Sequence, residues 1–210
     1  MRKIRQSCLT MSLALLLISG CAPDAGEPFN QATIQNPLND YLHQVDQTER
    51  EIEFKRVQTH AFTSKSGDIY ADIRYSCGAK LCDHALVQIK NDEQKVIHLH
   101  SGSIFQRHIF SPDGNYVAVL LGRNEGTEVV RNSVMVIRTE PFTLAEFQSK
   151  NELASMLTAP EFTIPIISLD WANDTTLKTE IPGTADYTFE TLATWNQHRS
   201  KTMDVRLTVK

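Results

Sequence analysis

A continuous apolar stretch covers residues 116–121, so a strand formed there would have two apolar faces. The Ser-Pro-Asp-Gly sequence before it predicts a tight turn. Pro112 presets φ, Asp113 can cap its own backbone and Gly114 tolerates positive φ. Apolar residues on both faces are typical of a strand that is covered from both sides. We therefore expect this strand in the middle of a stacked or layered sheet.

Alternating or short apolar runs, separated by polar turn clusters, predict further strands on both sides of this stretch. The predicted strands cover residues 54–62, 69–75, 84–90, 95–100, 104–110, 116–121, 129–138, 164–171, 177–181, 187–195 and 205–209. Short connections between successive strands favour an antiparallel meander. The last two strands are expected to form a terminal hairpin.

Two regions have helical signals instead. The Asn-Pro pair at residues 36–37 is typical of a helix start, and apolar residues recur at near-helical spacing through residues 38–52. Between residues 139 and 163 the alternation stops, and Thr143 with Glu146 predicts a capping box before a helical insertion. The sequence therefore predicts a mainly β fold with an N-terminal helix and a short helical insertion.

The turn and apolar run at residues 110–121 also carry a family resemblance. Phe-Ser-Pro-Asp-Gly, then an aromatic residue and a run of Val, Ala and Leu, resembles the blade repeat of the Tol-system translocation protein and its β-propeller relatives. Residues 171–177 match it as a degenerate second copy. The resemblance implies four-stranded blades, and about eleven strands are too few for a closed propeller. The expected architecture is an antiparallel meander that resembles incomplete β-propeller blades or a β-sandwich.

The N-terminus has the features of a secretory signal, with a basic start at Arg2, Lys3 and Arg5 and an apolar stretch too short to span a bilayer. The following Leu-Ile-Ser-Gly-Cys sequence resembles the lipobox of bacterial lipoproteins. In that family the signal is removed before the cysteine, which is then acylated. The resemblance implies that Cys21 is a lasting lipid anchor on a membrane facing the periplasm, and that Ala22 directs sorting to the outer membrane.

This interpretation divides the chain into three segments. Residues 1–20 are the signal peptide, and residues 21–35 are a flexible tether with two prolines and a glycine. Residues 36–210 are a single β-rich periplasmic domain. A segment of that length can bury a sizeable core.

Two cysteines remain after the signal and the anchor are set aside. Cys77 and Cys82 have four residues between them, including a glycine. In an oxidising periplasm we expect a disulfide, which would stabilise the fold by about 2 kcal/mol. A redox-active or metal-binding pair is the alternative. The spacing is wider than Cys-x-x-Cys, however, and no second pair completes a zinc site.

The net charge of the chain argues against nucleic acid and anionic lipid headgroups as partners. Without the three cations of the signal, 18 Lys and Arg side chains stand against 25 Asp and Glu side chains, which gives a formal charge of −7. An acidic surface of this kind does not suit nucleic acid or anionic lipid headgroups.

Three histidines are candidate metal ligands. His98 and His100 would share one face of a strand, and His108 on the next strand could approach them. No further ligand is supplied by the spacing, and outward positions on a half-exposed strand explain the same residues, so we expect no metal. The sequence also contains no Gly-x-Ser-x-Gly elbow, phosphate-binding loop, His-Glu-x-x-His motif or dinucleotide fingerprint. We therefore predict no cofactor and no catalytic residues.

The sequence leads to the hypothesis of a lipoprotein, anchored at Cys21, that acts as a binding or envelope-assembly module with an envelope protein as partner. The ligand is left open. One alternative is a metal-dependent hydrolase acting on envelope material, with its metal at His98 and His100. The other alternative is a structural subunit of an envelope complex.

Overall fold

The computed structural model of the protein describes residues 31–148, 151–199 and 201–210. The predicted signal peptide, Cys21 and the tether up to residue 30 lie outside the described residues. Within them, no helix combines the length and the apolar character that crossing a membrane requires.

The described residues form four helices and eleven strands. The helices are α1 (Gln31–Gln44), α2 (Gln47–Arg56), α3 (Glu152–Thr158) and α4 (Phe189–His198). The strands are β1 (Gln58–Thr63), β2 (Ile69–Tyr75), β3 (Asp83–Lys90), β4 (Glu93–His98), β5 (Ile104–Phe110), β6 (Tyr116–Glu125), β7 (Val129–Arg138), β8 (Thr143–Leu144), β9 (Ser168–Trp171), β10 (Thr176–Pro182) and β11 (Thr202–Thr208).

The strands form three antiparallel sheets, and each sheet is built from strands that are consecutive in the sequence. Sheet I has the order β1-β2-β3-β4, and sheet II has the order β5-β6-β7-β8. Sheet III has three strands in the order β11-β10-β9. This arrangement confirms the predicted fold class, a mainly β protein made of antiparallel meanders.

Sheet II is the middle layer of a stack, because both faces of β6 are buried in apolar cores. Val117, Val119 and Leu121 pack in one core with side chains of sheet I. The alternate side chains of β6 pack in a second core with sheet III and α3. The prediction that the apolar strand is covered on both sides is confirmed.

The outer face of sheet I is covered by a helix. Leu38 and Leu42 of α1 are buried against Ala71, Ile73 and Val87 of β2 and β3. These side chains alternate along their strands with those that face sheet II, as the two-residue period of a strand requires. The central strands β2 and β3 of sheet I therefore bury apolar side chains on both faces.

The two predicted repeat windows both form turns between neighbouring antiparallel strands, β5–β6 and β9–β10. In the first turn, Asp113 accepts hydrogen bonds from Ser111 Oγ and from the backbone N–H of Asn115, and Gly114 has a φ of +78°. In the second turn, the matching bonds are accepted by Asn173 instead of the expected aspartate. The side chain that closes the turn is therefore one residue earlier in the second window.

Three predictions near the start of the described residues were wrong in position: the start of the first helix, the end of the tether and the start of the first strand. Residues 36–37 lie inside α1, which begins at Gln31, so residues 31–35 of the predicted tether are helical. The chain breaks before Asp46, whose side chain accepts a hydrogen bond from Thr48 N and caps α2. Helix α2 then extends to Arg56, so the first strand begins at Gln58 rather than at residue 54.

The predicted capping box does not begin a helix, since Thr143 lies in β8. Helix α3 starts later, after Asn151, whose side chain accepts a hydrogen bond from Ala154 N. The expected strand at residues 187–195 is largely helix α4, whose N-cap Thr188 accepts from Thr191 N. The expected terminal hairpin is therefore also wrong, and β11 pairs with β10.

Candidate functional site

A cleft of about 590 Å³ opens between one end of sheet I and strand β5 of sheet II. Its walls come from β1, β2, β3 and β5, and eight of its ten residues are Arg, His, Asp or Gln on the facing strands. The lining residues are Gln58, Thr59, His60, Asp72, Arg74, His84, Phe105, Gln106, Arg107 and His108.

The cleft exists because the inner face of sheet I changes from apolar to polar along its strands. In β2, Tyr70, Asp72 and Arg74 alternate with apolar residues and share one face. Tyr70 is fully buried in the core between sheets I and II. In the antiparallel register, His60 lies opposite Asp72 and Gln58 lies opposite Arg74. The polar end of this face therefore collects side chains from two strands.

The floor of the cleft is a buried pair. His84 Nδ1 lies 2.9 Å from Asp72 Oδ1, and the two side chains are 1% and 8% exposed. His84 Nε2 lies 3.2 Å from the carbonyl oxygen of Ser103. Both ring nitrogens of His84 are thus engaged by oxygen atoms of the protein. The carboxyl group of Asp72 is in turn held by His84.

Arg74 is the cation of the cleft that has no acidic partner among the described residues. Its Nη2 donates to Gln58 Oε1. Its Nε is buried and has no hydrogen-bond partner within the described part of the chain. A buried donor without a partner costs about 1–3 kcal/mol, and more when it is charged. A carboxylate or phosphate that entered the cleft would give this guanidinium the acceptors that suit its planar fork.

Two further histidines line the cleft. The ring of His108 stacks on Phe62, with centroids 3.7 Å apart and an interplanar angle of 15°. Burial lowers the pKa of His108 below its ordinary value of 6.5, and the nearby charge of His60 lowers that pKa further. His60 itself is exposed. The cleft therefore gains positive charge as the pH falls.

Arg107 connects the cleft to sheet III. Its guanidinium donates to the carbonyl oxygen of Leu169 and lies 3.4 Å from Asp170 Oδ1. Both charged side chains are exposed, at 42% and 77%, so water screens the pair. Arg107 thus adds positive charge at the rim of the cleft.

A second hollow of about 430 Å³ shares Gln58 and Arg74 with the cleft and continues its positive character. It adds Lys55 and Lys80, which form no ion pair within the described residues. Arg56 also lines this hollow, but its guanidinium lies 2.9 Å from Glu53. A run of cations therefore extends from the cleft past the end of α2.

The disulfide between Cys77 and Cys82 is confirmed, with the two Cα atoms 4.1 Å apart. Both cysteines line the second hollow. The bond closes the loop between β2 and β3, next to the end of β2 that carries Arg74.

The structure does not bring the three candidate metal ligands together. His98 Nδ1 lies 3.1 Å from Tyr75 Oη, and His100 Nε2 lies 3.1 Å from the carbonyl oxygen of Thr158. His108 is in the cleft. Strand β4 ends at His98, so the predicted pair does not share one strand face. Within the described residues, no group of three or more His, Cys, Asp or Glu could hold a metal ion.

Of the residues that line the cleft, the sequence pattern singled out only His108, as a candidate metal ligand. One signal was available, because residues 69–75 place Asp72 and Arg74 on the same strand face as Tyr70. Charged residues that continue an aromatic face indicate that part of this face borders a polar space.

Comparisons of the chain with protein-family models, curated proteins and solved structures gave no match.

Proposed function

We propose that this chain is a membrane-tethered binding module of the bacterial envelope, and that its cleft holds the anionic group of a ligand. The observation that carries the proposal is the buried Nε of Arg74, a donor without a partner among the described residues. Arg74 lines a space of about 590 Å³. A carboxylate or phosphate supplies the missing acceptor.

The charge distribution supports an anionic ligand. The predicted mature chain is acidic, with a formal charge of −7, whereas among the described residues that line the cleft Asp72 alone has a carboxyl group, and His84 holds it. A concave surface lined by one sign of charge focuses the field and attracts the opposite charge. The cleft is therefore expected to attract anions, although the predicted mature chain as a whole is acidic.

The geometry of His84 favours binding over catalysis. A general base needs a ring nitrogen that is free to take a proton from the substrate. Both nitrogens of His84 are engaged, with Asp72 and with the carbonyl oxygen of Ser103. We assign His84 to a structural role, in which it holds Asp72 and shapes the floor.

The tether is the other half of the proposal. The lipobox-like sequence that ends at Cys21 supports a lipid anchor. The disulfide between Cys77 and Cys82 is of a kind that persists in oxidising compartments such as the periplasm, and it supports the same location.

Calorimetric titration at low ionic strength tests the anion site, with citrate and pyrophosphate as probes. We expect Arg74→Gln to weaken binding by about tenfold or more, because a charge-assisted hydrogen bond contributes about 1.5–3 kcal/mol. Lys95→Gln is the matched control, since it removes an exposed cation from β4 at the opposite edge of sheet I. Equal affinities of the wild type and Arg74→Gln would exclude the cleft as the anion site.

Fractionation of cells tests the tether. We expect Cys21→Ser to move the protein from the membrane fraction to the soluble periplasmic fraction. Cys8→Ser is the control, because Cys8 lies within the predicted signal peptide and its replacement should leave the protein on the membrane. Membrane association of the Cys21→Ser variant would refute the lipid anchor.

A further inference from the structure

Strand β1 forms one edge of sheet I and pairs with β2 on one side only. Within the described residues, its backbone makes no hydrogen bond to a strand or loop on the other side. Four of its six residues, including Ala61, are exposed. The unpaired N–H and C=O groups of such an edge are a template for another strand.

The other edge strands carry features that block strand pairing, and β1 does not. Strands β4, β9 and β11 contain charged residues, β5 has an arginine and a bulge, and β8 is two residues long. Strand β1 contains no Lys, Arg, Asp, Glu or Pro, and its register with β2 is regular. By the usual means of protecting a sheet edge, β1 is therefore the open one in the described structure.

The surroundings of β1 determine which partner fits. Its cleft-facing residues, such as His60, border Arg74 and Arg107. The second hollow adds Lys55 and Lys80 at its beginning. Two copies of this chain joined edge to edge through β1 would bring these cations together, and like charges in contact are costly. An acidic segment of another protein is complementary to the same surface.

We infer that β1 is a strand-addition site, which pairs with an extended acidic segment of a partner protein. Alternate side chains of an added strand point to the same side of the sheet as the cleft. Acidic residues at every second position of the partner would therefore lie on the cleft side, where the one opposite Gln58 could approach Arg74 across β1. This inference rests on the proposed function, because it states what carries the anionic group.

Peptide binding measured by fluorescence anisotropy tests the inference. The probe is a labelled, end-blocked octapeptide that alternates Glu and Thr. Its control is the same peptide with every interior backbone nitrogen methylated, which keeps the charges and removes the donors. We expect the unmethylated peptide to bind at least about tenfold more tightly, since strand addition draws its affinity from main-chain hydrogen bonds.

Amide hydrogen exchange locates the contact. We expect the unmethylated peptide to slow exchange in residues 58–63, and to leave the opposite edge strand β4 unchanged. Arg74→Gln should weaken the peptide, whereas Lys95→Gln should not. If β1 were already protected from exchange in the absence of peptide, and sedimentation showed dimers, β1 would pair with a second copy of the chain. That result would overturn the inference.

Two results separate this inference from the proposed function. Equal affinities of the two peptides, both weakened by Arg74→Gln, would overturn strand addition and leave the anion site in place. So would binding of citrate or pyrophosphate without binding of the peptide. Failure of all the anionic probes to bind would overturn both.

Discussion

The two outer layers of the stack bury their surfaces in different ways. Sheet III turns apolar side chains such as Leu177 and Ile181 inward, and its outward side carries charged pairs such as Lys178 with Asp204, 3.0 Å apart. Sheet I is covered on its outer face by α1, and part of its inner face is polar. The outer face of sheet III is therefore exposed to solvent, whereas the outer face of sheet I is covered by a helix.

The difference explains why the cleft belongs to sheet I. Polar side chains on the outward face of sheet III are hydrated and need no protein partner. Asp72 and Arg74 instead face a neighbouring layer, where a polar group must find a partner or remain at a cost. Asp72 has found His84, and the Nε of Arg74 has no partner in the described structure. A polar patch between layers thus lines a cleft, whereas the same residue types on an outer face would be ordinary surface.

The largest effect should come from breaking the buried pair of sheet I. We expect Asp72→Ala to lower the free energy of unfolding by about 3–5 kcal/mol, because it breaks a buried pair and leaves Nδ1 of His84 without its partner. Asp204→Ala breaks the exposed pair of sheet III and should cost about 0–1 kcal/mol. Urea unfolding measures both. Similar losses for the two variants would contradict the distinction between the inner and outer polar faces.

Removing part of the helical cover of sheet I should have the next largest effect. Leu42 is 4% exposed and packs on β2 and β3, so Leu42→Ala should destabilise the protein by about 2–4 kcal/mol. Leu144→Ala is the matched control, because this leucine is 54% exposed and its loss should change stability by less than about 0.5 kcal/mol. A negligible effect of Leu42→Ala would mean that α1 does not stabilise the outer face.

The disulfide should contribute less than the helical cover. The double variant Cys77→Ala/Cys82→Ala should lose about 2 kcal/mol, the chain-entropy value for a loop this short. A reducing agent should destabilise the wild type by a similar amount and leave the double variant unchanged. If reduction had no effect on the wild type, the bond would not stabilise sheet I.

The smallest effect concerns pH. Because the pKa of His108 is lowered in the folded state, the unfolded chain binds more protons below the ordinary value of 6.5. This group's contribution to stability is therefore present near pH 7 and decreases as the pH falls below 6.5. His108→Phe, which keeps a ring beside Phe62, should show a smaller drop in urea midpoint between pH 7 and pH 5.5 than the wild type. An equal drop in the two proteins would show that His108 does not cause this pH dependence. His43→Gln on α1 is the control.

The layered core could be predicted because its signals are local. The apolar run of β6 by itself predicts that both faces of this strand are covered. The Pro112-Asp113-Gly114 turn fixes the hairpin before it. The disulfide followed from the small number of cysteines and the predicted compartment. Each of these inferences needed only neighbouring residues.

Helix α4 was missed because two periodicities compete in the same segment. Alternating Tyr, Phe and Thr residues suggested a strand, whereas Leu192 and Trp195, three positions apart, are both buried on one helix face. The cap at Thr188 was the deciding local signal. Apolar spacing and a hydroxyl cap together would have identified the helix.

The cleft was missed for a different reason, since its contacts are not local. Arg74 bonds to Gln58, which is 16 residues away, and His84 bonds to Asp72, which is 12 residues away. These pairings depend on the register of β1, β2 and β3. Alternation within one strand shows that a polar face exists, but only the layer packed against it makes that face a cleft.

Each sheet is made of strands that follow one another along the chain. The loops that must close within sheets I and II are short, whereas β10 and β11 of sheet III are joined through α4, and topologies rich in near-neighbour contacts fold quickly. Sheet I can therefore hydrogen-bond completely before the residues of sheet III have been engaged. The spatial sequence of the layers is also the order in which a growing chain can condense, one meander at a time.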